Sequence, residues 1–264
     1  MRSSSSVKLL ARIPGSGDVL FRRRGLMPLL LVPLFALGLA DARLPGTLPL
    51  ASRLWQGLAV ALALAGLGIR VAAVGTAPAG TSERSTTSPR ASRLRTTGLY
   101  SVVRHPLYLG NSLVAIGLAC FTAAWAVPVI VALLALLYHE RIAAREEAFL
   151  EERFGAEFTR WAERVPAFLP RPGGYVRGDT PFRWRRVLRS EFHGLFVIGS
   201  VLFALDLARS ALAAGRLVFD PLWTAFFIFA AAVFIVCSLL KKHTTLLDTR
   251  EEGGAHDPAD PRAD

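Results

Sequence analysis

Long apolar runs alternate along this chain with segments dense in arginine, and 52% of its residues are hydrophobic. Six such runs are recognised, at residues 25–40, 54–76, 107–124, 125–138, 192–208 and 221–240. A membrane-spanning helix needs about 20 apolar residues, and inside a bilayer only a helix or a closed barrel satisfies its own backbone. The alternation therefore predicts an all-α fold, a polytopic membrane bundle of about six transmembrane helices. One charge, Arg70, interrupts the second run, and we expect its side chain to extend toward the interface.

The basic segments fall on one side of the membrane if all six runs are spans. They lie at residues 22–24, 84–104, 141–189 and 241–242, whereas the opposite loops contain only Arg43, Arg53, Arg209 and Arg216. Cytoplasmic loops carry the excess of Lys and Arg, so both termini are predicted to be cytoplasmic in a multi-pass protein. The net charge of +11 then indicates contact with anionic lipid headgroups. No nucleic-acid-binding motif accompanies it, and no obligate protein partner is evident.

Composition divides the chain into a polar N-terminal segment (1–24), a membrane domain (25–247) and an acidic tail (248–264) that we expect to be disordered. A signal peptide ending near Ala42 is the alternative to a retained first helix. After the fourth run, a cytoplasmic helix is predicted to continue to about Arg164. Proline and glycine residues then predict an interfacial coil over 165–191. The two cysteines, Cys120 and Cys237, lie inside apolar runs and suggest packing, with no disulfide or metal site.

Two polar clusters are expected at one end of the hairpin formed by the third and fourth runs. They are Tyr100, Arg104, His105, Tyr108 and Gly110 at its beginning, and Glu146 and Glu147 past its end. Cations at a helix start that face two carboxylates suit a zwitterionic ligand. Simpler interpretations stay open: a helix-capping histidine, interfacial tyrosines, and glutamates on a solvated helix face. By themselves these spacings specify no reaction.

Two blocks of residues resemble the signature of the isoprenylcysteine carboxyl methyltransferase and phospholipid methyltransferase superfamily. The first is Arg104-His105-Pro106-Leu107-Tyr108-Leu109-Gly110, preceded by Thr97-Gly98-Leu99-Tyr100. The second is Glu146-Glu147, followed by Leu150, Phe154-Gly155, Phe158, Trp161, Val165-Pro166 and Leu169-Pro170. The likeness covers about residues 96–170. Phe158 and Trp161 stand where that family usually has tyrosines.

The resemblance implies a membrane-embedded methyltransferase that uses S-adenosylmethionine. By this likeness Tyr100, Arg104, His105, Tyr108, Gly110, Glu146 and Glu147 would bind the cofactor, and 165–170 would fold over it. The acceptor would be lipid-like: an isoprenylcysteine carboxylate, an aminolipid or a lipid phosphate. Arg145 and Arg164 are candidates to orient it, with a plain surface charge as the alternative for each. A sulfonium methyl is already activated, so few catalytic groups are needed.

Two other classes of function are also compatible with these residues. Membrane sterol and steroid reductases share a similar first block and use NADPH, but their block usually continues with Glu where this chain has Asn111. They also lack the Glu-Glu segment. A non-catalytic membrane protein is the third possibility.

Overall fold

The computed structural model describes residues 31–41, 53–77, 93–244 and 246. Within these residues the structure contains seven α-helices and no strand. The helices are α1 Leu31–Asp41, α2 Arg53–Gly75, α3 Pro106–Cys120, α4 Ala126–Phe154, α5 Ala156–Ala162, α6 Trp184–Ala214 and α7 Pro221–His243. Short 3₁₀ turns lie at Gly98–Ser101 and Pro172–Gly174. The predicted all-α class is confirmed.

Four of the helices are long and apolar enough to cross a membrane, namely α2, α4, α6 and α7. Two shorter apolar helices, α1 and α3, accompany them. The prediction of six spans and that of their sidedness are not tested by these lengths and remain predictions. The predicted segment 1–24, the start of the first run and the tail 248–264 lie outside the described residues.

Helix α4 runs for 29 residues without interruption. This corresponds to about 44 Å, which exceeds the roughly 30 Å hydrocarbon thickness of a bilayer. The predicted continuing helix is therefore present to Phe154. It stops at Gly155, whose φ of +52° is accessible to glycine at little cost, and the short α5 follows.

The prediction of coil up to residue 191 is wrong at its end, because α6 already begins at Trp184. No proline or glycine lies between Pro181 and Gly194, so nothing in the local sequence stops the helix from starting earlier. The residues from Val165 to Arg183 form irregular structure, as predicted, except for the short 3₁₀ turn at Pro172–Gly174.

Helices α2 and α3 pack with their backbones in close approach. A Cβ added to Gly110 would lie 2.7 Å from the carbonyl oxygen of Gly66, and one added to Gly117 would lie 2.6 Å from the backbone nitrogen of Ala63. Small residues allow this proximity, which maximises van der Waals contact between helices. Around this contact lies the main apolar core, which includes Phe121 and the fully buried Leu202.

Two ion pairs join helices that are distant in sequence. Arg53 pairs with Asp220 at the N-terminus of α7, at an Nη2–Oδ2 distance of 2.5 Å. Asp220 also caps α7 by accepting from the backbone N–H of Leu222. Arg70 forms the second pair, with Glu191 of α6, and the expectation that its side chain extends toward the interface stays a prediction.

Candidate active site

The start of α3 is held against the segment that follows α5. The backbone N–H groups of Arg104 and His105 donate to the carbonyl oxygens of Pro166 and Ala167, at 2.9 and 3.2 Å. In the other direction, the N–H of Arg171 donates to the carbonyl of Val102 at 2.9 Å. Residues 166–171 therefore lie along the first signature block. That residues 165–170 fold over a cofactor stays a prediction.

Arg104 and His105 of the first block both contact Glu147 of α4. Arg104 Nη1 donates to Oε2 at 3.0 Å, and His105 Nε2 lies 2.8 Å from Oε1. His105 is 7% exposed, and its side chain makes no capping hydrogen bond although it occupies the N-cap position of α3. The capping interpretation of His105 is therefore wrong, since its ring is used to join two helices.

Tyr108 makes the second connection between the same two helices. Its hydroxyl donates to Glu146 Oε1 at 2.8 Å, and its ring stacks on His105 at 5.5 Å between centroids. His105 Nδ1 lies 3.7 Å from Glu146 Oε2. We call Arg104, His105, Tyr108, Glu146 and Glu147 the polar clamp. The prediction that the two clusters meet at the open end of the hairpin is confirmed for Arg104, His105 and Tyr108, and the solvated-face interpretation of the glutamates is not.

The remaining predicted residues are placed differently. Tyr100 packs in a second apolar cluster with Phe158 and Trp161, and its carbonyl accepts from Trp161 Nε1 at 3.0 Å. Burial raises the pKa of the Tyr100 phenol; Arg95, whose Nη1 lies 3.5 Å from the hydroxyl, opposes this shift. Phe158 and Trp161, the aromatic departures from the family pattern, are thus packing residues here.

Gly110 and Arg164 make their described contacts outside the polar clamp. Gly110 sits at the contact between α2 and α3, where its missing Cβ admits the backbone of Gly66. Arg145 is half-buried on α4, directly before Glu146. Arg164 is exposed, and its Nε donates locally to the carbonyl of Arg160 at 3.0 Å. Cofactor binding by Gly110 and acceptor binding by either arginine remain predictions.

His139 and Ser112 are part of the site and were missed from the sequence. The ring of His139 stacks on Tyr108 at 5.1 Å, and its Nδ1 lies 2.9 Å from Ser112 Oγ. Ser112 donates its only hydroxyl hydrogen to the carbonyl of Tyr108 at 2.9 Å, so Nδ1 of His139 must be the donor in the second contact. The spacing of seven residues between His139 and Glu146 places both on one helix face, which is the signal that was available.

The polar clamp fits a ligand that carries both charges. Arg104 Nε is buried and has no hydrogen-bond partner within the described part of the chain, so it is available to a carboxylate. Glu146 and Glu147, at 30% and 23% side-chain exposure, are the complementary acceptors for an ammonium or for hydroxyl groups. S-adenosylmethionine has all of these groups. The residues present therefore fit that cofactor.

Residues 56–157, which contain α3, α4 and all but the first three residues of α2, match the family model described as phospholipid methyltransferase. The segment includes the entire polar clamp. The resemblance to the superfamily of isoprenylcysteine and phospholipid methyltransferases is thus confirmed for this part of the chain.

Among individual proteins, the chain is similar to the cobalt-zinc-cadmium resistance protein CzcN of Cupriavidus metallidurans, at 41% identity over 87 residues. It is also similar to the nickel-cobalt-cadmium resistance protein NccN of Alcaligenes xylosoxydans xylosoxydans, at 38% identity over 82 residues. These alignments cover 33% and 31% of the chain, and 39% and 38% of the two relatives. No solved structure matches the chain.

Proposed function

We propose that this protein transfers a methyl group from S-adenosylmethionine to a lipid-like acceptor in the membrane. The observation that carries the proposal is the polar clamp itself. Two helices of one hairpin bring a guanidinium, an imidazole, a phenol and two carboxylates together, within the segment that matches the methyltransferase family. The catalytic task that remains for such a site is to align donor and acceptor and to exclude water.

The residues of the polar clamp divide by charge in this proposal. Arg104 binds the carboxylate of the cofactor through its unused Nε, and Glu146 and Glu147 bind its ammonium or ribose hydroxyls. When bound, the cofactor supplies a methyl group on a sulfonium, which is the activated donor. His139 and Ser112 fix the ring of Tyr108, which in turn orients Glu146.

The acceptor reaches the site from the bilayer in this proposal, since the clamp lies where apolar α3 begins. The names of the two metal-resistance relatives describe those proteins, and their alignments cover less than two fifths of their lengths. The membrane lipids themselves, or a prenylated or other lipid-borne group, are the partners that the apolar surroundings favour. Transfer to a carboxylate, an amine or a phosphate is compatible with the same cofactor site.

The binding of S-adenosylhomocysteine to the purified full chain, measured by calorimetry, tests the proposal. We expect Glu147→Gln to weaken this binding about ten-fold, because it removes the charge shared by Arg104 and His105 while keeping the size of the side chain. Glu152→Gln is the matched control, since Glu152 is an exposed acid on the same helix. It should bind like the wild type.

Two results would contradict the proposal. The first is a wild-type chain that binds neither S-adenosylmethionine nor its demethylated product. The second is preferential stabilisation by NADPH in a thermal-shift competition, which would indicate the reductase class. Extraction of lipids after expression with isotopically labelled methionine then shows whether a labelled methyl group has reached a lipid.

A further inference from the structure

A second polar cluster lies among the apolar helices, beyond the clamp. Arg70 of α2 donates from Nε and Nη2 to the two carboxylate oxygens of Glu191 on α6, at 2.8 and 2.9 Å. Its Nη1 donates to Oδ1 of Asn111 on α3 at 2.6 Å. One guanidinium therefore joins three helices, with α2 between the other two. Ionisable residues within apolar spans are costly and commonly mark a functional site.

The members of this cluster differ in accessibility. Glu191 is nearly inaccessible, with 3% of its side chain exposed, whereas 19% of the Arg70 side chain is exposed and Asn111 is an exposed residue. The accessible part of the cluster therefore belongs to Asn111 and Arg70, and the carboxylate is buried. Both carboxylate oxygens are already engaged by Arg70, so they are not presented to a ligand.

The polar groups that Arg70 and Asn111 can offer to a ligand are hydrogen-bond donors. Arginine has five N–H donors and no acceptor, and three of them are used by Glu191 and Asn111 in the described residues. Asn111 accepts from Arg70 through its side-chain oxygen, so its amide NH₂ group points away from the guanidinium. Two guanidinium N–H groups and one amide NH₂ are therefore left over from these contacts among the described residues. Such a surface favours an oxyanion and disfavours an ammonium group.

The cluster lies beside the clamp along α3. Asn111 is three residues past Tyr108, which corresponds to about 4.5 Å along the helix axis, and about 7 Å past the helix start at Pro106. We propose that Arg70 and Asn111 bind the oxyanion of a lipid, a carboxylate or a phosphate. This lipid is the methyl acceptor, an assignment that rests on the proposed function. Glu191 acts as a positioning residue for Arg70. The polar group of the lipid is then held one helical turn from the clamp, with its chains in the bilayer.

The experiment uses the full chain in neutral detergent micelles, with lipid retention measured by native mass spectrometry. The anionic probes are dioleoyl phosphatidic acid and oleate, and dioleoylglycerol is the probe without an anion. We expect the wild type to retain at least one anionic probe in preference to dioleoylglycerol. Asn111→Asp should lower this retention about ten-fold, because an isosteric carboxylate repels the oxyanion while still accepting from Arg70.

Gln56→Glu provides the matched control. It is the same amide-to-carboxylate change near the other end of α2, about 21 Å away along the axis, and Gln56 also accepts from an arginine, Arg53. It should retain the anionic probes like the wild type. Arg70→Lys is a second variant that keeps the charge but lacks the planar fork, and it should also retain less of them. Elution in size-exclusion chromatography confirms that each variant is folded.

Equal retention of the anionic probes by the wild type and Asn111→Asp would overturn the proposal. So would equal retention of dioleoylglycerol, or displacement of the lipid by inorganic phosphate, which would indicate a site for soluble anions. A wild-type chain that binds no S-adenosylhomocysteine would contradict the proposed methyl transfer. The lipid-retention measurement would still test the binding of an oxyanion by Arg70 and Asn111.

Discussion

Glu147 is the residue on which the clamp depends most directly. Its two carboxylate oxygens contact different partners just before α3, one at Arg104 and one at His105, so a single side chain fixes two positions of the first signature block. Hydrogen bonds to charged groups are stronger and more directional than neutral ones. The same carboxylate therefore helps to close the hairpin and to orient the groups that are proposed to meet the cofactor.

Tyr100 provides a prediction at the residue scale. Burial raises the pKa of its phenol above the ordinary value of about 10. The contribution of the neutral phenol to stability is therefore complete below the ordinary value, and it is lost as the pH rises through the folded value. We expect an ultraviolet titration of tyrosinate to show ionisation above that ordinary value, and Tyr100→Phe to remove the amplitude of one of the four tyrosines from that range. If the amplitude above the ordinary value is the same in the variant, the assignment to Tyr100 is wrong.

At the scale of elements, the contact between α2 and α3 decides where the clamp lies. Gly66 and Gly110 admit each other's backbone, and the aliphatic part of Arg70 passes over Gly110, with its Cγ 2.6 Å from the position that a Cβ would occupy. The glycine of the signature block is explained by this packing. The same crossing brings Arg70 to Asn111, so one helix contact serves both polar clusters.

The substitution Gly66→Ala tests this role of the contact. Its new Cβ would lie 2.5 Å from the carbonyl oxygen of Gly110, and backbone atoms cannot rotate away as a flexible side chain does. We expect a loss of about 1–3 kcal/mol in the free energy of unfolding, seen as a lower melting temperature in detergent. Gly110→Ala should behave similarly. An unchanged melting temperature in both would show that the helices do not depend on this approach.

Gly68→Ala is the control for those two variants. Gly68 lies on the same helix as Gly66, but nothing in the described part of the chain stands within 4 Å of the added Cβ. Alanine is the better helix former, so we expect a neutral result or a gain of up to about 1 kcal/mol. A loss as large as that of Gly66→Ala would indicate a general intolerance of α2 to substitution.

At the scale of the whole molecule, α6 separates two exposed loops that should lie on opposite sides of the membrane. It contains 31 residues, about 46 Å of helix, which is long enough to cross once. The residues before it are rich in arginine and include the segment that bonds to the clamp. The positive-inside bias predicts that this side, and with it the clamp, is cytoplasmic.

Single cysteines at Glu163 and Phe219, both exposed in the structure, test this topology. They are introduced after Cys120 and Cys237 have been replaced by alanine. A membrane-impermeant maleimide added to intact cells should label Phe219→Cys and leave Glu163→Cys unlabelled until the cells are opened. Labelling of both positions in intact cells would show that α6 does not cross, and a reversed pattern would contradict the cytoplasmic clamp.

The class of the fold, the approximate positions of the helices and the meeting of the two signature blocks followed from the sequence alone. They depend on local quantities: apolar run length, charge, and the spacing of Arg104, His105 and Glu147 about a short hairpin. Proline and glycine likewise marked the irregular segment after Val165. The early start of α6 at Trp184 was not foreseen, since no residue type signals the first turn of that helix.

Only the tertiary structure decided which residues on separate helices become partners. The pairing of Arg70 with Glu191 joins positions 121 residues apart, and no periodicity within either helix identifies the other. His139 reaches the clamp through a ring stacked on Tyr108, and Gly110 proves to be a contact between helices. Sequence patterns determine which face of a helix is apolar, whereas the crossing of two helices depends on how closely their backbones approach. That approach is a property of the packed bundle.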